Sequence, residues 1–176
     1  MGGDSTHSTW PLVGRSDELA YAQAALASGE VSGVVLAGHP GVGKSRLAHE
    51  LVSSVWDSDT RVVSCVATRA TASIPFGAVA ELLGTFDAAL DDQLAVLRAV
   101  TSSLASPSDR KVLITLDDAH LVDDATAALL HHVVNRRLAQ VVVTVRSGEA
   151  LPEAITAMWK DGHCVRIDVQ ALARTE

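Results

Sequence analysis

An α/β fold built on a parallel sheet is predicted by two features of this chain. Five near-continuous Val/Ile/Leu runs, Val31 to Ala37, Arg61 to Ala67, Lys111 to Leu116, Gln140 to Val145 and Cys164 to Val169, read as strands buried on both faces. Helical patterns lie between most of them, as in folds whose helices cover both sides of such a sheet. The length of 176 residues suits one domain, and a composition 48% hydrophobic but only 3% aromatic predicts a core of Val, Leu and Ala.

Taken in order, Met1 to Thr9 is rich in Gly, Ser and Thr and reads as a flexible leader, with the domain spanning residues 10–176. Ser16-Asp17-Glu18 resembles a helix start, with Ser16 as the cap and two acids in the first turn. Leu19, Ala22 and Leu26 form one apolar face, and Gly29 ends the helix. Later helices are expected to begin near Lys44, Phe76, Asp91, Ala125 and Pro152. Ser106-Pro107-Ser108-Asp109 reads as a loop, and no internal repeat is visible.

The first strand runs into Gly38-His39-Pro40-Gly41-Val42-Gly43-Lys44-Ser45, which matches G-x-x-x-x-G-K-[ST] in the strand-to-helix context that a phosphate-binding loop needs. Small residues let the backbone curl until successive N–H groups point at a polyphosphate, and the following helix adds its positive dipole end. The expected nucleotide contacts are His39, Pro40, Gly41, Val42, Gly43, Lys44, Ser45 and Arg46, with Lys44 against the β and γ phosphates and Ser45 on Mg²⁺.

A second element follows the third strand. Asp117 and Asp118 stand at its C-terminal end, where open α/β sheets bind ligands. Asp117 is expected to orient Mg²⁺ and Asp118 to polarise the attacking water. An acidic pair after a strand also serves as a turn or cap, and the upstream loop decides for function. The next strand ends at Arg146, a cation at the same sheet edge, placed to report a γ-phosphate. Alternatively it is an exposed arginine opening a turn. Arg15 has the same two readings, near the nucleotide or on the surface, and His120 reads equally as a turn residue. His131 and His132, adjacent on a helix, face different ways and read as solvated or packed.

Several classes are excluded or weakened. A formal charge of −7 supplies no broad cationic surface, so this segment is not expected to contact nucleic acid directly. No apolar run reaches a membrane-spanning length. Cys65 and Cys164 lack metal or redox spacing and suit buried thiols in the cytoplasm. The single asparagine, Asn135, precedes Arg136, so the guanine-reading Asn-Lys-x-Asp motif is absent and adenine is the expected base. A small-molecule phosphotransferase and a non-hydrolysing nucleotide-binding module remain alternatives.

With these elements in order, the chain resembles the P-loop NTPase domain of STAND-type ATPases, within the AAA+ group, and among them the large ATP-binding LuxR-family transcriptional regulators of actinobacteria. The resemblance rests on Pro11 to Leu19, the phosphate loop, Ile74 to Val79, Leu116 to Asp123 and Thr144 to Glu149. It implies a three-layer α/β/α sandwich whose five-stranded parallel sheet has the order 5-1-4-3-2. It further implies that Val13 and Gly14 hold the adenine edge, that Arg15 lies close to the nucleotide and that Arg146 is the sensor arginine. The implied role is a switch between ADP and ATP states, with slow Mg²⁺-dependent hydrolysis, self-association and control of C-terminal domains. Because the family pattern continues past Glu176 into a lid, a winged helix and a DNA-binding module, the chain is expected to be an excised domain or a truncated relative.

Overall fold

In the computed structural model, the residues described are 14–55, 59–80, 92–105 and 111–172. Five strands, β1 (Gly33–Gly38), β2 (Thr60–Val66), β3 (Lys111–Asp117), β4 (Gln140–Arg146) and β5 (Cys164–Asp168), form one parallel sheet in the order β2-β3-β4-β1-β5. Read from the other edge this is the expected 5-1-4-3-2. The helices are α1 (Ser16–Ser28), α2 (Lys44–Val55), α3 (Gln93–Leu104), α4 (Asp124–Asn135) and α5 (Glu153–Lys160), with short 3-10 turns at Gly77–Val79 and Ala119–Leu121.

The period of two along β1 builds the three layers. Val34 and Leu36 face α1 and α2, packing with Ala22, Leu26, Leu47 and Leu51, whereas Val35 and Ala37 face the other side, with Leu129, Leu130, Val133 and Ile155 of α4 and α5. β1 is therefore buried along its whole length. The edge strands differ from expectation: β2 buries only Cys65 and β5 only Cys164 and Ile167, their other residues being partly or fully exposed, because an edge strand is not enclosed as a central one is.

Helix starts follow local chemistry, with corrections. Asp92 caps α3 by accepting from Leu94 N and Ala95 N, and Asp123 caps α4 by accepting from Thr126 N. Ser16 does not cap α1. It is the first helical residue, and Arg15 occupies the cap position with no side-chain cap bond, since a guanidinium only donates and has no acceptor for the first-turn amides. Gly29 ends α1 in the left-handed conformation, φ 71°, as its position predicts. Where a helix is expected to begin near Phe76, a 3-10 turn over Gly77–Val79 runs into helical Ala80, and residues 81–91 lie outside the described ones. So do the leader and the loop around Pro107. No helix among the described residues is long and apolar enough to cross a membrane.

Candidate functional site

Strand register gathers the site. Gly38, where β1 enters the phosphate loop, pairs with Arg146 at the end of β4, while Asp117 ends β3 one strand further along. All three lie at the C-terminal edge of the sheet.

In the loop, Gly41 (φ 79°) and Gly43 (φ 94°) are left-handed, and a Cβ on either would meet nothing within 4 Å. Backbone conformation therefore selects these glycines, and the space above the loop is open to a ligand. The helical ladder of α2 starts with Leu47 N donating to Gly43 O at 2.9 Å. The first-turn amides at Lys44 and Ser45 precede that ladder and sit at the positive dipole end, an anion-binding arrangement. Lys44 is buried and its Nζ donates to His39 O at 3.0 Å. Burial is the main cause holding its pKa below the usual ammonium value; Asp118 opposes this, Arg146 reinforces it, and Asp117 opposes it.

Ser45 Oγ donates to Asp117, 2.8 Å from Oδ2 and 3.0 Å from Oδ1. These hard oxygens suit Mg²⁺, and the open loop with its amides suits a polyphosphate, so the residues present fit both groups. Thr144, fully buried at the end of β4, links the two acids: its hydroxyl donates to Asp117 Oδ1 and accepts from Asp118 N at 2.9 Å.

Asp118 adopts the left-handed conformation, φ 57° and ψ 44°, which costs about 1–3 kcal/mol in a non-glycine residue. That turn aims its carboxylate at Arg146, whose Nε and Nη2 donate at 3.3 and 3.2 Å. His120 Nδ1 lies 3.8 Å from Asp118 Oδ1, and its side chain is only 4% exposed with Nδ1 lacking a hydrogen-bond partner among the described residues. Burial is the first cause lowering the His120 pKa, with Asp118 opposing it and Arg146 reinforcing it. His120 thus sits in the 3-10 turn Ala119–Leu121, as the turn reading has it, with its side chain buried beside the acidic pair.

Arg15 is not a surface charge either. It is 4% exposed, with Nη1 donating to Glu18 Oε1 at 2.8 Å and Nη2 donating to Val42 O at 3.0 Å and to Gln170 O. It ties the start of α1 to the phosphate loop and to the chain after β5. Gly14 is left-handed, φ 72°, and a Cβ there would come 3.0 Å from Leu172 Cδ2. Val13 lies outside the described residues. Arg46 keeps its backbone in the first turn of α2, while its side chain turns outward to Glu50 Oε2 at 3.5 Å. His39 and Pro40 are exposed on the loop and Val42 is half-buried.

The sequence reading missed Thr144. Its one signal is that it is the sole polar residue inside Val141 to Val145.

Residues 11–145 match the model of the AAA ATPase domain, more than half of the chain. The chain belongs to the AAA ATPase domain family. This AAA ATPase domain is a nucleotide-binding domain with the P-loop fold. Its fold is similar to Cdc6p from Pyrobaculum aerophilum, TM-score 0.62 at 18% identity, covering 92% of this chain and 47% of that one. It is similar also to a chain of Drosophila ORC bound to AT-rich DNA and Cdc6, TM-score 0.60 at 9% identity, covering 90% and 57%. A third likeness is to Pif1 helicase from Candida albicans, TM-score 0.55 at 18% identity, covering 90% and 40%. The domain thus spans about half the length of these structures, and identities this low carry the fold alone. Among curated proteins none matches the sequence.

Proposed function

We propose that this AAA ATPase domain is the nucleotide switch of a LuxR-family transcriptional regulator of the STAND type, binding ATP or ADP with Mg²⁺ and hydrolysing ATP slowly. The observation that carries the reading is the ion pair of Asp118 with Arg146, at 3.2 Å. The group suited to polarise water is held by the group suited to sense a γ-phosphate, so the acid is restrained until the arginine finds another anion. A γ-phosphate is such an anion, and ADP has none. Coupling of this kind supports both a low turnover and a response to which nucleotide is bound.

The roles follow from position. Lys44 and the first-turn amides of α2 hold phosphate oxygens, and Ser45 with Asp117 are the residues that would hold Mg²⁺. Mg²⁺, when bound, neutralises charge on those oxygens. Asp118 orients and polarises the water, and Thr144 keeps both acids in register. Val13 and Gly14 take the adenine edge in this reading, and Arg15 shapes the loop through Val42. The resemblance of the motif blocks to those of LuxR-type regulators supports the regulatory context, with self-association and C-terminal effector domains as its partners. The net charge of −7 argues against this segment holding DNA itself. A cytoplasmic setting suits ATP chemistry and the buried Cys65 and Cys164, which no disulfide joins.

Calorimetry with ATP, ADP and GTP, with and without Mg²⁺, tests the reading. ATP and ADP are expected to bind, Mg²⁺ to favour ATP, and GTP to bind more weakly. Equal binding of GTP, or none of any nucleotide by the folded domain, overturns it. ADP release that depends on a small acceptor makes the domain a phosphotransferase instead.

A further inference from the structure

The end of the sheet remote from the phosphate loop carries a second cluster with its own chemistry. His131 on α4, Asp161 at the C-terminal cap of α5 and His163 just before β5 bring their ligand atoms within 4.8 Å of one another. The His131 and His163 rings stand edge to face, with centroids 5.9 Å apart and planes at 73°. His131 Nε2 lies 3.7 Å from Asp161 Oδ2, too far for a hydrogen bond, and that nitrogen is buried with no hydrogen-bond partner among the described residues.

We propose that His131, Asp161 and His163 bind one divalent transition-metal ion of the zinc type, apart from the Mg²⁺ site at the phosphate loop. Bonds of about 2.0–2.2 Å to a tetrahedral ion separate neighbouring ligand atoms by roughly 3.3–3.5 Å, so the His131 and Asp161 atoms already stand close to that spacing. Two imidazoles with one carboxylate select a borderline-soft ion, whereas the all-oxygen pair of Ser45 and Asp117 suits Mg²⁺. The backbone favours the arrangement: Gly162, at φ 78°, reverses the chain between Asp161 and His163, and His163 O is fixed by Ser32 N at 2.7 Å. Asp161 is 56% exposed, so its carboxylate can close on an ion without disturbing the core. Three protein ligands leave a fourth position for water. The bound ion would join α4 to the turn between α5 and β5.

The test uses the whole chain without an oligohistidine tag, titrated with Co²⁺ as the spectroscopic probe and then with Zn²⁺ in competition. One equivalent of Co²⁺ is expected to give saturable visible absorption of four-coordinate intensity, displaced by Zn²⁺ and retained in Asp117→Asn. His163→Ala and Asp161→Asn, both changes in a surface turn, are each expected to weaken binding at least about tenfold while the circular dichroism spectrum is unchanged. His131→Ala should do the same, and Zn²⁺ should raise the melting temperature of the parent but not of His163→Ala. Binding at parent affinity in His163→Ala and Asp161→Asn, no saturable absorption, or loss of binding in Asp117→Asn overturns the proposal.

Discussion

The guanidinium of Arg146 meets the carboxylate of Asp118 through two nitrogens, Nε at 3.3 Å and Nη2 at 3.2 Å. The two residues are 28 positions apart in the chain. Adjacent parallel strands, β3 and β4, deliver them to one edge, and the left-handed turn at Asp118 completes the contact.

If the arginine exchanges Asp118 for a γ-phosphate, Arg146→Ala weakens ATP more than ADP. The lost charge-assisted bonds are worth roughly 1.5–3 kcal/mol, about tenfold to a hundredfold in affinity. Titration calorimetry with both nucleotides measures this, and equal losses remove the sensing role.

Lys44→Ala removes the cation from the phosphate loop. ATP affinity is expected to fall by about tenfold to a hundredfold, read by the same calorimetry. Unchanged affinity would show that Lys44 does not touch phosphate.

Asp118→Asn keeps a residue that tolerates the left-handed backbone, so the fold should persist. Nucleotide binding is expected to stay largely intact while hydrolysis slows by roughly 10²- to 10⁴-fold. A phosphate-release assay at the parent rate would assign the water to another residue.

Thr144→Val preserves shape but deprives Asp118 N of its acceptor and Asp117 of a donor. The expected cost is about 1–3 kcal/mol of stability, seen as an earlier urea midpoint with an unchanged slope. An unaltered midpoint would mean that water replaces the hydroxyl at no cost.

Cys164 is buried, and burial pushes its thiol pKa up to about 12 from 9.0. Above the lower, unfolded value the unfolded chain gives up a proton that the folded chain keeps, so this thiol makes stability fall as pH rises between those values. Relative to the parent, Cys164→Ala should show a shallower decline from pH 9 upward, by at most about 1.4 kcal/mol per pH unit. Alkylation of the native protein at Cys164 should be slow. Equal slopes in parent and variant would place the thiol in a wetter environment.

Much of the architecture was legible in residue patterns. The five strands appear within two residues of their expected ends, because Val-rich runs bounded by Gly, Pro and charged residues leave little choice of where a buried strand can lie. Gly29 and the helix starts expected near Lys44, Asp91 and Ala125 follow from local backbone and hydrogen-bond needs, although Asp92 and Asp123 emerge as caps only in the structure. Long-range partners were less accessible. Arg15 looked like a surface charge as readily as a ligand, yet it is buried against carbonyls 27 and 155 positions away. His131 and His132 were correctly separated by helical geometry: His132 Nε2 pairs with Thr101 Oγ1 at 3.0 Å, while His131 turns to a different neighbour.

By itself the sequence determined the parallel α/β layering, the phosphate loop and the acidic edge, since each is written in a short stretch whose period or spacing obeys local sterics. Only the tertiary structure decided that Asp118 is held by Arg146, that Thr144 joins the two acids, that Arg15 braces the loop and that His131 meets Asp161 and His163. Those contacts depend on strand register and on the rotation of each helix against the sheet, which arise from packing the whole chain at once and leave no local mark on the residues involved.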